Sequence, residues 1–340
     1  MDNEQVRFER LVAGGDALGH LADGRVVFVP GALPGELVDV QITQAKKDFA
    51  RGEVAAIIEP SAHRVTPPCP NVERGCGGCS WQHLDVSQHM DAKVQIVREA
   101  LKRTAKIDDA DITVGGQVAS EGTRTTVRMA VNAEGKLGFR RANSHDVIDT
   151  PTCLIAHPLL NNFIADVRVK GATEVTLRCA VATGEVGAWL HNEDGEEAPG
   201  ASITGLPKHT EIGRMAVVHE HVHDVALQVS MSAFFQASPE AAEMLVSAVN
   251  DAAGEDALTG QLGLVVDAYG GGGLFTATLV DNDVPVTIVE SSPSACADAR
   301  RNLHEHAINI QQIAFEQWSP QIAGLVIADP ARNGLGAAGA

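Results

Sequence analysis

The sequence predicts an α/β protein in three segments: an OB-like β-barrel over residues 1–60, a central α+β segment over 61–230, and a Rossmann-like nucleotide fold over 231–340. Three observations carry that division. Short β-branched runs alternate with glycine turns through the first sixty residues. Three of the six cysteines then fall within eleven residues, Cys69 to Cys79. From Ser238 onward the pattern becomes helix, apolar strand, glycine loop, helix and a second apolar strand.

The barrel rests on the runs 25–30, 36–42 and 53–58, punctuated by Gly14-Gly15-Asp16, Ala22-Asp23-Gly24 and Gly31-Ala-Leu-Pro-Gly35. Five short strands in about 55 residues suit a small closed sheet. Lys46, Lys47 and Arg51 share one loop, where such a barrel grips a phosphate backbone or simply solvates a turn.

In the next segment the spacing is C-x6-C-x2-C, with Gly75, Gly77 and Gly78 letting the backbone curl around a common centre. Converging thiolates of this kind hold zinc or an iron–sulfur cluster and require a fourth ligand. Cys153, directly after a strand-like run, is the candidate. Residues 87–104 read as an amphipathic helix with Ser87 as N-cap and Val94, Val97 and Leu101 on its apolar face. Strands over 125–131 and 136–140 flank Asn132-Ala-Glu-Gly135, a hairpin signature that sets Arg124, Arg128 and Arg140 toward one face.

Leu262-Gly-Leu-Val-Val-Asp267 leads into Ala268-Tyr-Gly-Gly-Gly-Gly273, and Pro285-Val-Thr-Ile-Val-Glu290 closes with an acid 23 residues after Asp267. Backbone at Gly271 and Gly273 can approach a ligand closely, while the Glu290 carboxylate accepts from ribose hydroxyls. The ligand is a nucleoside type, with NAD as the alternative occupant.

Composition narrows the setting. Hydrophobic residues make up 44% of 340, aromatics only 4%, and the formal net charge is −18. The N-terminus is polar and no run of eighteen apolar residues occurs, so neither a signal peptide nor a membrane span is expected. Six cysteines without a secretory framework suit reduced thiols in the cytoplasm. Acidity argues against a nucleic-acid partner only if charge is spread evenly. Residues 124–141 carry Arg124, Arg128, Lys136, Arg140 and Arg141 against Glu134 alone, a basic island in an acidic chain.

The stretch 23–36, Asp-Gly-Arg-Val-Val-Phe-Val-Pro-Gly-Ala-Leu-Pro-Gly-Glu, resembles a TRAM domain, a small RNA-binding barrel. Followed by Cys69…Cys76-Gly-Gly-Cys79, the chain resembles the RNA uracil-5-methyltransferases, which use S-adenosylmethionine (SAM). The resemblance implies a [4Fe–4S] cluster on Cys69, Cys76, Cys79 and Cys153, although the first spacing is one residue longer than usual. It implies SAM contacts from Gln236, Tyr269, Glu290 and the Asp329 of Asp-Pro-Ala-Arg332, and a C-terminal class I methyltransferase domain on which helix 87–104 packs. Gly270 stands where cysteine is usual, Ala331 where proline is usual, and Leu274 where a polar contact is common. The implied substrate is RNA, 23S rRNA in preference to tRNA, and a monomer is expected.

Uracil C5 is a poor nucleophile, and the family's remedy is a thiolate that adds to C6 before methyl transfer, with a carboxylate removing the C5 proton and the base flipped from its stack. The nucleophile and base follow the Asp-Pro motif by some distance in the family, so the domain ending at Ala340 is expected to be incomplete and inactive alone. Cys179 and Cys296 lie outside the expected motifs, and the catalytic residues stay unassigned. The alternative is a non-catalytic RNA-binding protein with barrel, cluster and SAM-like fold, or a tRNA enzyme.

Overall fold

In the computed structural model, which describes residues 3–142, 144–331 and 334–335, the chain divides into two compact units. One comprises 1–117 with 139–148, the other 118–138 with 149–340. The barrel and the cysteine loop thus share a unit, and the chain leaves the second unit after residue 138 and returns to it at residue 149.

Strand alternation closes the barrel in the first unit. Its strands are β1 (Asn3–Leu11), β2 (Ala17–His20), β3 (Val26–Val29), β4 (Leu37–Ala45) and β5 (Phe49–Glu59), in the order β1-β2-β3-β5-β4. Val6, Phe8, Val27, Val29, Val38, Val40 and Ala50 point inward and form the core. Gly52 is required where β5 crosses β4: a Cβ there would lie 2.4 Å from Val40 Cγ1 and 2.9 Å from the Gln41 carbonyl oxygen.

One buried carboxylate ties the barrel shut. Glu36 is fully buried and accepts from the Leu33 amide at 2.8 Å, the Ser61 amide at 3.1 Å, and Arg64 Nε and Nη2 at 2.6 and 2.8 Å. Arg64 Nη2 also donates to the Gly31 carbonyl at 2.7 Å. The turn before β4 is thereby fastened to the chain that leaves β5. Burial pushes the Glu36 carboxyl upward, but Arg64 and the two amides outweigh it and hold it below its ordinary range.

Beyond the barrel, helix α1 (Pro70–Glu73) is a single turn between Cys69 and Cys76, with Pro70 in its first turn. Helix α2 covers His89–Ala100 and continues as a wide turn to Ala105, where Lys106 turns left-handed. Two expectations are corrected here. Asp85, not Ser87, caps the start, accepting from the Ser87 amide at 2.9 Å ahead of a 3-10 turn. The face packed on the barrel core includes Ala92 and Ile96, while Val97 of the expected apolar face is exposed. Alternating half-buried positions blur the 3.6-residue period that would have shown the true face.

The second unit opens with β6 (Thr126–Val131), which turns through Asn132 into β7 (Leu137–Arg140); Asn132 Oδ1 accepts from the Glu134 and Lys136 amides at 2.9 Å, as the hairpin signature predicts. Strand β8 (Val147–Asp149) brings the chain back, followed by α3 (Pro158–Ile164), β9 (Arg168–Lys170), β10 (Glu174–Cys179), β11 (Val186–His191), β12 (Ser202–Thr204) and β13 (Glu211–Ile212). The order β13-β11-β10-β6 makes a sheet with β10 buried along its whole length. The hairpin β14 (Val217–Val222) and β15 (Val225–Ser230) leads to α4 (Pro239–Ala253), capped by Ser238, and α5 (Glu255–Leu258).

A parallel sheet follows: β16 (Val265–Ala268), α6 (Leu274–Leu279), β17 (Val286–Val289), α7 (Pro293–Asn302), β18 (Ile308–Gln311) and β19 (Leu325–Ala328), in the order β18-β17-β16-β19. Continuous apolar runs in β16 and β17 reflect burial on both faces. Arg332 of the Asp-Pro-Ala-Arg motif lies outside the described residues. No helix among the described residues is long and apolar enough to cross a membrane.

The Glu36–Arg64 pair gives a signed expectation. Replacing Arg64 with Met leaves a buried, uncompensated carboxylate and should lower stability at pH 7 by roughly 3 kcal/mol. Wild-type Glu36 has a lowered carboxyl value, so its contribution is present above the ordinary carboxylate range and fades as pH falls through the lowered value. In Arg64→Met the deficit should shrink toward pH 4, because the buried carboxyl then takes up a proton. Guanidinium unfolding at both pH values measures this, and an equal deficit at each would refute the account.

Candidate functional site

The parallel sheet ends in a cleft. Strand β16 stops at Ala268, and the next residue, Tyr269, has φ of +58°, an unusual conformation for a side chain of this size. Its ring leans on Phe315 at 5.2 Å and its hydroxyl donates to Glu316 at 3.1 Å. Gly270 follows with no room for a side chain, since a Cβ would stand 2.9 Å from Ile288 Cγ2 and 3.0 Å from the Asp267 carboxyl carbon. The cysteine usual at this point would not fit this backbone.

The cleft opens to solvent. Phe234, Gln236, Tyr269, Gly271, Asp298 and Asp329 are among its walls. Four predicted ligand contacts therefore meet there: Gln236, Tyr269, Gly271 and Asp329, with Gln236 Nε2 donating to Asp329 Oδ2 at 3.4 Å. Glu290 and Gly273 are not wall residues. Glu290 stands behind the loop, accepting from the Gly271 amide at 3.1 Å and the Ser292 amide at 2.6 Å. Gly273 caps α6 and presses on Leu303.

Asp267 lies beneath the loop, 1% exposed, and accepts from the Thr276 hydroxyl at 2.8 Å. Burial drives its carboxyl up to about 6; Thr276 opposes the shift, while Asp329 and Glu290 add to it. Carboxylates therefore crowd this end of the sheet.

The sequence did not reveal what holds the opposite wall. Arg178 on β10 is buried and donates to Thr126 Oγ1 at 2.9 Å, the Ser230 carbonyl at 2.5 Å and the Ala233 carbonyl at 2.8 Å. From the other side, Asp298 on α7 accepts from the Ser230 amide at 2.8 Å and the Ser230 hydroxyl at 2.6 Å. Asn302, one helical turn on, bonds both the amide and the carbonyl of Gln228 and donates to the Gly272 carbonyl at 2.8 Å. Burial lowers Arg178 to about 10, partly countered by Asp298, so it stays charged near neutrality. A charged residue at an alternating strand position reads as solvent-facing, and only burial of both faces of β10 makes it internal.

Among the cysteines, Cys69 is buried and Cys76 and Cys79 are half-buried in the first unit. The Cys69 amide donates to Gln82 Oε1 at 3.1 Å, and the Gly77 amide donates to the Arg140 carbonyl at 3.0 Å. Burial raises the Cys76 thiol, and Cys79 and Cys69 raise it further, so the three sulfurs feel one another. Cys153 belongs to the second unit, its backbone clamped by Asn161 at 2.9 Å on both amide and carbonyl. Among the described residues no three His, Cys, Asp or Glu side chains stand together so as to hold a metal ion.

The remaining thiols are poor nucleophiles. Burial and Glu220 push Cys179 up to about 12, and Cys296, fully buried, donates to the Glu290 carbonyl at 3.4 Å and is raised by burial.

The basic residues separate into kinds. Lys46, Lys47 and Arg51 are exposed on the barrel, with Arg51 paired to Asp16 at 3.1 Å. Arg124 is exposed in the second unit, while Arg140 belongs to the first. Arg128 departs from the expected free contact: its guanidinium pairs with buried Glu174 and donates to the Glu193 carbonyl at 2.7 Å.

A small closed barrel joined to a parallel sheet with a glycine loop and an acid after its second strand defines a nucleotide-type α/β protein with an OB-like module. Residues 4–55 match the TRAM domain. A protein of Corynebacterium glutamicum named as an uncharacterized RNA methyltransferase is 31% identical over 341 residues, covering 95% of this chain and 79% of its own. Its counterpart in Streptomyces coelicolor is 30% identical, over 95% and 77% respectively. The chain belongs to this RNA methyltransferase family. The Pyrococcus abyssi tRNA (uracil-54, C5)-methyltransferase, solved with S-adenosyl-L-homocysteine, shares the fold with a TM-score of 0.66 and 20% identity over 97% of this chain and 84% of that one.

Asp267 makes the domain pH-sensitive in a stated direction. Its folded value of about 6 exceeds the ordinary 3.8, so the folded state binds more protons between those values and stability falls as pH rises through that window. Asp267→Asn keeps an acceptor for Thr276 without the charge. The stability difference, variant minus wild type, should grow by a few kcal/mol from pH 4 to pH 7, followed by urea unfolding. A difference that stays flat across the window would show that Asp267 is ionised at little cost.

Proposed function

We propose that this protein methylates uracil at C5 in RNA, with 23S rRNA the favoured substrate and SAM the methyl donor. The observation that carries the reading is the cleft at the carboxyl ends of β16 and β19, where Gln236, Tyr269, Gly271 and Asp329 converge in front of Glu290. Ligands of open parallel sheets bind at this end.

Charge favours SAM over NAD as the occupant. Asp329 and Asp298 line the cleft, and Asp267 and Glu290 lie behind the loop. A pyrophosphate would face these carboxylates, whereas an amino-acid ammonium, a sulfonium and ribose hydroxyls suit them. Glu290, whose oxygens hold the Gly271 and Ser292 amides, is assigned by family resemblance to the ribose hydroxyls, and Gln236 and Asp329 orient the remainder. Bound there, SAM supplies an electrophilic methyl group. Activation of C5 by addition at C6 requires a thiolate, and neither Cys179 nor Cys296 serves, both being buried and raised.

RNA is held by Lys46 and Lys47 of the turn between β4 and β5 and Arg51 near the start of β5, together with Arg124, Arg128 and Arg140; Arg128 also neutralises buried Glu174. The preference for rRNA is supported by the pairing of a TRAM barrel with Cys69, Cys76, Cys79 and Cys153, which we assign to a [4Fe–4S] cluster. Three mutually coupled thiols in a glycine-rich loop suit such a centre chemically. Cys153 is the fourth ligand.

Three measurements test these assignments. Calorimetry with S-adenosylhomocysteine should show binding that Glu290→Ala weakens at least tenfold; binding of NAD with equal affinity, or no binding to either, would overturn the cofactor reading. A tritiated-SAM assay on rRNA and tRNA transcripts then decides the substrate. Protein purified without oxygen should be brown and carry about four irons and four sulfides per chain. Cys79→Ser should lose them, whereas a colourless protein with one tightly held zinc would refute the cluster.

A further inference from the structure

We propose that Phe28 and Phe49, on the outer face of the barrel, form a stacking platform for unpaired bases of single-stranded RNA. The inference rests on the RNA-binding reading above and adds to it which nucleic-acid form the barrel takes and by what force. Strands β3 and β5 run parallel, with Val26 opposite Phe49, Val27 opposite Ala50 and Phe28 opposite Arg51. Val27, Val29 and Ala50 are fully buried in the barrel core. Alternation therefore turns Phe28, Phe49 and Arg51 outward together.

The two rings meet edge to face, with centroids 6.1 Å apart and planes 70° apart. Each carries a cation: Lys46 Nζ lies 5.5 Å from the Phe49 centroid, and Arg51 Cζ lies 5.9 Å from that of Phe28. Aromatic residues are only 4% of this chain, so two outward rings side by side on a small barrel are not a compositional accident. A cation over each ring is the arrangement in which the cation can move to a phosphate while the ring receives the adjoining base.

Electrostatics alone does not account for RNA binding at this surface. Arg51 is paired with Asp16 at 3.1 Å, Arg25 with Asp23 at 2.6 Å, and Asp48 is exposed beside Lys47. Acids nearly match bases here, so counterion release supplies only part of the affinity and stacking the remainder. Bases inside a duplex are already stacked and present no free face, which selects single strands.

The test uses the full chain and fluorescence anisotropy with a labelled single-stranded oligouridylate and a duplex RNA of equal length, across a salt series. Phe28→Leu and Phe49→Leu keep apolar bulk on the outer face without an aromatic surface. Each should weaken single-strand binding about tenfold and leave the salt slope unchanged. Phe49→Tyr should bind as the wild type does. Lys46→Gln with Lys47→Gln should instead reduce the salt slope by one to two, about one per phosphate contact. If the leucine variants bind normally while the lysine variant fails, the platform is refuted and RNA binding by charge stands. If the wild type prefers duplex, the platform is likewise refuted. If the wild type binds neither RNA, the underlying reading falls with it.

Discussion

Ser230 is gripped between a buried cation and a buried anion, and the organisation of the second unit follows from that grip. Arg178 reaches its carbonyl from the central sheet and Asp298 takes its amide and hydroxyl from α7. Among the described residues Arg178 donates to three neutral acceptors, and its charge is offset across a single residue by Asp298. A buried guanidinium left without such an offset would cost several kcal/mol. The geometry of residues 230–237 is therefore fixed by electrostatics and not by loop propensity. Phe234 is 75% exposed at the cleft, and Arg178 holds the carbonyl of the residue before it. The Thr125 amide adds a bond to the Ala237 carbonyl at 3.0 Å and pins the far end of the same segment.

The cleft is thus assembled from two sources that differ in kind. Its glycine loop, with Tyr269 strained and Gly270 hemmed in by Ile288, is shaped by steric exclusion around β16. Its facing wall is shaped by the charge clamp. Asn302 joins them, bonding Gln228 on one side and Gly272 on the other. A side chain with that double role ties the position of the wall to the position of the loop.

What the sequence made legible was whatever depends on local pattern. Alternation and glycine turns gave the barrel, and Asp267, the glycine run and Glu290 gave the strand–loop–helix–strand start of the parallel sheet, though not its strand order. Gln236 and Asp329, 93 residues apart, were placed at the cleft only through family resemblance, because nothing local joins them. Arg178 and Asp298 were invisible for another reason: a charged residue inside a strand or an ordinary helix looks solvated unless the burial of both its faces is known. Arg128 is exposed, and its pairing with buried Glu174, 46 residues further on, was equally illegible from local pattern. The four cysteines are a separate matter. Their spacing is local and readable, but convergence of four sulfurs is a tertiary property; within the cysteine loop itself, Cys69 and Cys79 lie within electrostatic reach of Cys76.

A chain of net charge −18 that handles RNA must confine attraction to short range. At physiological salt, charges beyond about 8 Å are largely screened, so repulsion from distant acids is weak at any contact surface. What matters is the chemistry within one Debye length of the RNA. On the barrel that chemistry is nearly balanced, with Arg51 and Arg25 each held by an aspartate. Specific pairing of this kind keeps the cations ordered and in place, but lowers their pull on phosphate. Aromatic faces recover affinity without adding charge, and their contribution does not fade with salt. An acidic protein that relies on stacking gains discrimination as well, because non-specific polyanions are not held by rings.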